Sequence, residues 1–209
     1  MAAAAVRAAG EALITVRAAN EASWADLEAI FGGRGAASRC WCQRYKLPRG
    51  EAFKHHPPEV RAHRLREQAD CGGPGPTSGL VAYLDGEPAG WCALEPRPAY
   101  DGLVRNSSRP AWANRDEDRL DPSVWAVTCV LVRAGFRRQG VATALAAAAV
   151  DHARARGAAD LEAYQMTSTR TALLEELHVG TVGMFAAAGM AELSRPTLRR
   201  AVMRIDFAS

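Results

Sequence analysis

Two adjacent arginines and a glycine precede a long alanine-rich segment in the string VLVRAGFRRQGVATALAAAAV. The β-branched start and helical end of this string put Arg137, Arg138 and Gly140 where a helix begins. The first N–H groups of a helix lack internal partners and carry partial positive charge, so arginines beside them are unfavourable unless an anion binds. Glycine lets the backbone approach such a ligand closely, because it has no Cβ. The pattern predicts a cradle for a phosphate or diphosphate group.

Other phosphate-binding motifs fit this sequence less well. A Walker A motif requires GxxxxGK[ST], and the chain contains no such string. The dinucleotide-binding fingerprint requires three spaced glycines after a strand, whereas this turn supplies one. From the turn alone, a short glycine turn without any ligand stays open as the alternative.

Apolar periodicity and turn residues predict the elements that hold this turn in place. The order is one strand, two helices, three strands, a helix, a strand, a helix and two strands, which is a mixed α/β domain. The predicted strands cover residues 12–19, 80–84, 89–94, 124–132 and 159–166, with a closing hairpin in 189–207, and the helices cover 20–32, 57–72, 139–156 and part of 175–189. We expect a single domain over residues 12–209 and a disordered tail over residues 1–11. The polar stretch 98–122 is long for a loop, which is typical of a functional or disordered segment.

Composition and charge exclude several classes of protein. The chain has 209 residues, of which 48% are hydrophobic and 23% charged, as in a soluble globular domain. Its net charge is +3, with arginines scattered among acidic residues rather than gathered in a basic stripe, so we expect no nucleic-acid partner. The longest apolar run is too short to span a bilayer and the N-terminus does not resemble a signal peptide, so we expect a cytoplasmic protein with no membrane partner. The five cysteines have neither a disulfide framework nor metal-ligand spacing, so we expect no metal.

A strand, the turn VRAGFRRQGVATAL, an amphipathic helix, a further strand and the string MFAAAGM follow one another here. This order resembles the Gcn5-related N-acetyltransferase (GNAT) family over residues 80–207, and more loosely before them. In that family the turn carries R/Q-x-x-G-x-G/A and binds the pyrophosphate of acetyl-CoA. Arg137, Gly140 and Ala142 match those three positions. The resemblance implies a mixed, mostly antiparallel sheet of the GNAT type, flanked by helices on both faces and split beside the cofactor strand.

The resemblance also implies a set of cofactor-binding residues and a reaction. The strand would pair with the pantetheine arm and the turn would bind the phosphates through Val130, Leu131, Val132, Arg137, Arg138, Gln139, Gly140, Val141, Ala142 and Thr143. Acetyl-CoA is then the co-substrate, with no metal ion. The implied activity is N-acetyl transfer to an amine of a small molecule or peptide by direct attack in a ternary complex, so Cys129 is not expected to be a covalent nucleophile.

The proton donor usual in this family is missing from its usual place. A tyrosine often stands there four residues before the glycine of the last helix, and in this chain Phe185 stands four residues before Gly189. Because of this departure, a protein that only binds or senses acyl-CoA stays open as an alternative. The string CWCQRYK and its neighbours also resemble an uncharacterised bacterial branch of the family, to which no acceptor can be attached. A homodimer also stays open.

Four other residues are candidates for the missing acid–base chemistry. Glu162 and Tyr164 lie two positions apart on one predicted strand and so share a face. We take Glu162 as a candidate base, acting directly or through water, with Tyr164 and His178 as further candidates and Glu95 as a weaker one. A surface or hydrogen-bonded carboxylate is the alternative role of Glu162. The aromatic residues that could line an acceptor pocket are Trp41, Tyr45, Tyr100 and Trp112.

Overall fold

The computed structural model of the chain describes residues 4–6, 12–32, 35–105, 110–166 and 180–207. The strands are β1 (Ala4–Val6), β2 (Ile14–Ala18), β3 (Gly79–Leu84), β4 (Glu87–Pro96), β5 (Val124–Val132), β6 (Asp160–Met166), β7 (Ala191–Thr197) and β8 (Arg200–Asp206). The α-helices are α1 (Trp24–Phe31), α2 (Ala36–Cys40), α3 (Pro58–Ala69), α4 (Asp101–Val104), α5 (Val141–Ala155) and α6 (Val182–Ala187).

The strands form one sheet in the order β1-β2-β3-β4-β5-β6-β8-β7. Every neighbouring pair is antiparallel except β5 and β6, which run parallel and are connected through α5. Asp85 and Gly86 make the tight turn between β3 and β4 with φ angles of 50° and 84°, which is the geometry that an Asp-Gly hairpin favours. The expected mixed, mostly antiparallel sheet is confirmed.

The sheet opens between β5 and β6. Their pairing runs from Val124–Asp160 to Val127–Ala163, although β5 itself continues to Val132. Opposite β4, the register of β5 shifts at Thr128, which is the extra residue of a β-bulge. Beyond Val127, the edge of β5 that faces β6 therefore has no strand partner among the described residues. We call the space between these two strand ends the β5–β6 gap.

Helices cover both faces of the sheet. The helix α5 buries one stripe of small and branched residues against the first face, with Val141, Leu145 and Ala149 at four-residue spacing. The helix α6 adds Met184 and Phe185 to the same core. The helices α1 and α3 pack on the second face, against the side chains of β3 and β4 that point there. Both faces are thus occupied, as the sequence predicts.

The N-terminal segment differs from the tail that the sequence predicts. Ala4–Val6 pairs antiparallel with β2 as an edge strand, although residues 1–11 are expected to be disordered. The exposed edge of β2 offers unpaired N–H and C=O groups, and these can bind any short extended segment whatever its side chains are. An alanine-rich sequence carries no signal for this pairing.

The polar segment before β5 also contains more structure than its composition suggests. It includes α4, and it contributes two fully or almost fully buried aromatic residues, Tyr100 and Trp112, to a core on the second face. Trp112 donates its Nε1–H to the carbonyl of Leu103 over 2.8 Å. The segment therefore packs on the sheet through a few aromatic residues, which average polarity does not reveal.

Candidate active site

The turn between β5 and α5 adopts a backbone shape that requires glycine. Gly140 has a φ of +84°, and an added Cβ would lie 3.3 Å from Cδ1 of Ile14. Arg138, two residues earlier, also has a positive φ of 59°. Glycine adopts such angles without the steric penalty that a side chain brings. The turn thus exposes the first amides of α5.

The N-terminus of α5 has no internal cap. The first intrahelical bond runs from Ala144 N–H to Gly140 O over 3.0 Å, and no described side chain accepts from the N–H groups before it. The first turn contains no acidic residue. By contrast, Ser23 and Asp26 form a capping box at α1, and Thr181 caps α6. The start of α5 therefore offers free donors to a ligand.

A cavity of about 550 Å³ lies beside this turn. Its lining comes from the end of β5, the turn, the first residues of α5 and the start of α6: Val130, Leu131, Val132, Phe136, Arg137, Arg138, Gly140, Val141, Ala142, Thr143, Gly180, Thr181, Gly183 and Met184. All the predicted cofactor-binding residues are among them except Gln139. The side chain of Gln139 turns back and donates to the carbonyl of Gly135 over 3.1 Å.

The charge around the cavity is positive. Its described lining contains Arg137 and Arg138 and no carboxylate. Arg137 donates through Nε to the carbonyl of Val132 over 3.3 Å, which places its guanidinium beside the end of β5. Together with the free amides of α5, these arginines favour an anionic ligand.

The free edge of β5 borders the same cavity. Val130 packs in the core under α5, whereas Cys129 packs on the opposite face of the sheet. The bulge at Thr128 lies at the inner end of this edge, where pairing with β6 stops. An extended ligand entering from the turn could hydrogen-bond to this backbone in place of a strand.

Glu162 lies in a buried ion-pair cluster rather than along the cavity. Its side chain is fully buried. Its carboxylate forms ion pairs with Arg97 over 3.4 Å, with Arg204 over 3.3 Å and, at close range, with Arg115. Tyr164 donates its hydroxyl to the same carboxylate. This cluster ties the segment before β5 to the sheet. With three arginines and a tyrosine around it, Glu162 resembles a structural anion more than an accessible base.

Tyr164 is the first residue of β6 beyond its pairing with β5, whereas Glu162 lies two residues earlier, within that pairing. Tyr164 pairs with Val202 of β8, on the face opposite α5, and its side chain is almost fully buried. Burial raises the pKa of the Tyr164 hydroxyl well above its ordinary value, and the neighbouring Glu162 charge raises it further. The hydroxyl therefore stays protonated near neutral pH.

Glu95 of β4 lies on the same face of the sheet as Glu162 and Tyr164, but on the other side of β5. It lies opposite Ala126, which in turn lies opposite Glu162, so the two carboxylates flank one residue of β5. Lys46 forms a close ion pair with Glu95, and both side chains are mostly buried, at 8% and 16% exposure. Burial raises the pKa of Glu95, while the Lys46 charge opposes that shift.

The remaining candidates are distributed over other parts of the chain. His178 lies outside the described residues. Phe185, at the family's tyrosine position, is fully buried in the core and does not line the cavity. Trp41 stacks on Phe31 with ring centroids 5.2 Å apart, so it is a core residue of the second face.

Sequence reasoning missed two parts of this arrangement. Thr181 and Met184 line the cavity from α6 although they lie about 40 residues beyond the turn. A threonine before a short apolar helix is a sequence signal for an N-cap, which could have placed this helix start. Lys46 is the other omission: one of only two lysines, it pairs with Glu95, and no local pattern links two residues 49 positions apart.

Metal sites and membrane-spanning helices are absent from the described part of the chain. Within it, no group of three or more His, Cys, Asp or Glu side chains is arranged to hold a metal ion. No helix in the same ranges combines the length and the apolar character that crossing a membrane requires.

Solved structures share this fold. The GNAT domain of S. lividans PAT superposes with a TM-score of 0.55 at 17% identity, covering 98% of this chain and 97% of that one. A GCN5-related N-acetyltransferase from Kribbella flavida superposes with a TM-score of 0.53 at 19% identity, covering 93% of this chain and 98% of that one. An N-acetyltransferase from Staphylococcus aureus Mu50 superposes with a TM-score of 0.52 at 14% identity, covering 92% of this chain and 98% of that one. At these identities the likeness shows the fold alone.

Sequence comparison identifies the family. A search of curated proteins finds none that matches the chain. The model of the acetyltransferase (GNAT) family matches residues 40–174, which is more than half of the chain and includes β3 to β6 with the turn at Gly140. The chain belongs to the acetyltransferase (GNAT) family.

Proposed function

We propose that this protein transfers an acetyl group from acetyl-CoA to an amine of a small molecule or peptide, by direct attack in a ternary complex. The observation that carries this proposal is the uncapped start of α5, which opens through Gly140 onto a cavity with two arginines and no described carboxylate. Family membership supports acetyl transfer in general. We propose an amine, rather than another nucleophile, as the acceptor.

The diphosphate of the coenzyme is expected at the turn. The N–H groups of Val141, Ala142 and Thr143 would donate to its oxygens, and the arginines at 137 and 138 would neutralise its charge. The fit is favourable because the glycine at the helix start leaves the backbone accessible, and because no described side chain caps those N–H groups. A diphosphate would satisfy donors that the fold leaves free.

The pantetheine arm would lie along the free edge of β5. Residues 128–132 offer backbone donors and acceptors toward the β5–β6 gap, and an amide-bearing chain can pair with them as a strand would. The thioester would then lie near the bulge at Thr128. Bound there, acetyl-CoA supplies a thioester whose carbonyl carbon accepts the amine while the thiol departs. A backbone N–H near Val130 is suited to stabilise the carbonyl oxygen as charge develops.

Proton transfer is assigned to residues on the face opposite α5. An alkylammonium with a pKa near ~10 must lose a proton before it can attack. Glu95 is our candidate acceptor of that proton, because its raised pKa makes it a stronger base than a solvated glutamate. Tyr164 is our candidate donor to the departing thiolate, with Glu162 orienting its hydroxyl. His178 stays a further candidate.

Calorimetry on two glycine variants tests the cradle. Gly140→Asp adds a negative charge at the uncapped end of α5 and should reduce acetyl-CoA affinity by at least ~100-fold, by repulsion and by filling the turn. Gly157→Asp is the matched control, because Gly157 follows the other end of α5 with a similar φ of +77° and open space around it. It should keep the wild-type affinity. Equal affinities in both variants would refute the assignment.

A second function is favoured by one observation. The family's tyrosine position holds Phe185, which is fully buried. A protein that binds acyl-CoA without turnover would retain the cradle and lack a donor there. Release of free thiol from acetyl-CoA in the presence of a panel of amines distinguishes the two functions. Turnover on any amine supports transfer, and tight binding with no turnover on any acceptor supports sensing.

A further inference from the structure

Gln165 carries a buried amide that has no partner within the described part of the chain. Its side chain is fully buried in β6, yet neither Nε2 nor Oε1 has a hydrogen-bond partner among the residues that the structure describes. Buried side-chain amides in folded proteins are nearly always hydrogen-bonded, because an unpaired buried donor or acceptor destabilises the fold. Gln43 of this chain follows that rule: equally buried, it donates to the carbonyl of Trp41 and to Oε1 of Gln68.

The position of Gln165 in β6 relates this amide to the β5–β6 gap. Pairing between β5 and β6 ends at Val127–Ala163, and Gln165 lies two residues further along β6, where it pairs with Ala201 of β8 and with no other strand in the described ranges. Had the parallel pairing continued, Gln165 would lie opposite the residues just past the bulge. Gln165 thus places a polar side chain at the level where β6 no longer pairs with β5.

Strand alternation fixes the face on which this amide lies. Leu161 and Ala163 point into the core under α5, so Gln165, two positions beyond Ala163, points to the same side. That is also the side on which Val130 and Met184 line the cavity. The amide therefore lies on the α5 side of the sheet, at the level where β5 and β6 separate, although Gln165 is not among the residues that line the cavity.

We propose that the side chain of Gln165 hydrogen-bonds a secondary amide of the pantetheine arm, from the side of the gap opposite β5. This rests on the proposed function, since it requires a coenzyme in the gap. A secondary amide has one N–H and one C=O, and a glutamine side chain offers the complementary acceptor Oε1 and donor Nε2. The arm would be held by backbone on one side and by Gln165 on the other. The orphaned amide of the free protein is then a binding group for the coenzyme.

The test separates a binding role from a structural one. Gln165→Leu removes both polar atoms with little change in volume, and Gln43→Leu does the same to the buried glutamine whose partners lie within the protein. Each variant is measured by calorimetry with coenzyme A and with 3′-phosphoadenosine 5′-diphosphate, which has the phosphates but lacks the pantetheine arm. Thermal unfolding of each variant is recorded without ligand.

The proposal predicts opposite behaviour for the two variants. Gln165→Leu should bind coenzyme A about tenfold or more weakly, keep the wild-type affinity for the nucleotide, and unfold at the same or a higher temperature than wild type. Gln43→Leu should unfold at a lower temperature and keep the wild-type ratio of the two affinities. Unchanged coenzyme A affinity in Gln165→Leu, or a lower unfolding temperature, would overturn the proposal. Failure of the wild type to bind either probe would instead refute the proposed function on which this inference rests.

Discussion

Tyr164 donates its hydroxyl hydrogen bond to Glu162, its neighbour two residues earlier on the same face of β6. The acceptor carboxylate is fully buried and is paired with arginines at 97, 115 and 204. One strand therefore carries both a carboxylate held by three arginines and a buried hydroxyl that stays protonated. We propose that Glu162 positions the Tyr164 hydroxyl and that Tyr164 donates the proton, so we expect different effects from substitutions at the two residues.

Neutralising Glu162 should destabilise the fold. In Glu162→Gln the buried guanidinium of Arg97 loses part of its compensating charge, and breaking a buried ion pair from one side costs about 3–5 kcal/mol. Urea denaturation measures this loss. Asp206→Asn is the control, because it removes an exposed carboxylate from Arg204 and should cost less than about 1 kcal/mol. A Glu162→Gln variant that unfolds at the same urea concentration as wild type would contradict the structural role that we assign to Glu162.

The pH dependence of turnover should report Glu95. A base is inactive once protonated, and a raised pKa means that Glu95 takes up its proton at a higher pH than an ordinary glutamate. The rate should therefore fall as pH decreases through that raised value. Lys46→Met removes the charge that opposes the shift, so the acidic limb should move to higher pH, while Glu95→Gln should remove the limb and lower kcat by about 100-fold or more. An acidic limb that is identical in all three proteins would exclude Glu95.

Removing the charge at Arg138 should weaken coenzyme binding in a salt-dependent way. We expect Arg138→Ala to reduce affinity for coenzyme A about tenfold at low ionic strength, with a smaller difference from wild type at 1 M salt, where charges beyond about 3 Å are screened. Arg154→Ala is the matched control, since Arg154 is an exposed arginine near the other end of α5. A salt-independent loss, or an equal loss in both variants, would contradict an electrostatic role at the turn.

Cys129 should be dispensable for the chemistry. It is buried on β5 beside the bulge, on the face opposite α5, and direct attack needs no covalent intermediate. Cys129→Ala should therefore keep kcat within about threefold, since the loss of one buried thiol group from the packing is its main consequence. Intact-mass spectrometry of wild type mixed with acetyl-CoA should show no acetyl-enzyme. A mass increase of one acetyl group that disappears in Cys129→Ala would favour a two-step mechanism instead.

The strand–turn–helix at the centre of the site is predictable from sequence because its determinants are local. Alternating β-branched residues give β5, and a glycine followed by an apolar helical period gives the start of α5. The predicted strand bounds of 124–132 agree with β5, and the predicted helix differs by only one or two residues at each end. The sequence predicts these elements because residues close together in the chain determine their backbone geometry.

The burial of Glu162 is not predictable in the same way. Its arginine partners lie 65, 47 and 42 residues away in sequence, and an alternating strand does not reveal which of its faces the chain will cover. The bulge at Thr128 is equally hidden, because it arises from a register shift between two strands rather than from any residue that signals it. The orphaned amide of Gln165 depends on where β5 and β6 separate. These features all follow from pairing between distant segments.

A crystal structure with coenzyme A bound would show whether the start of α5 holds the diphosphate. We expect diphosphate oxygens about 2.7–3.2 Å from the N–H nitrogens of Val141, Ala142 and Thr143, with the pantetheine arm running along the free edge of β5. Coenzyme density elsewhere on the protein, with none beside Gly140, would contradict it.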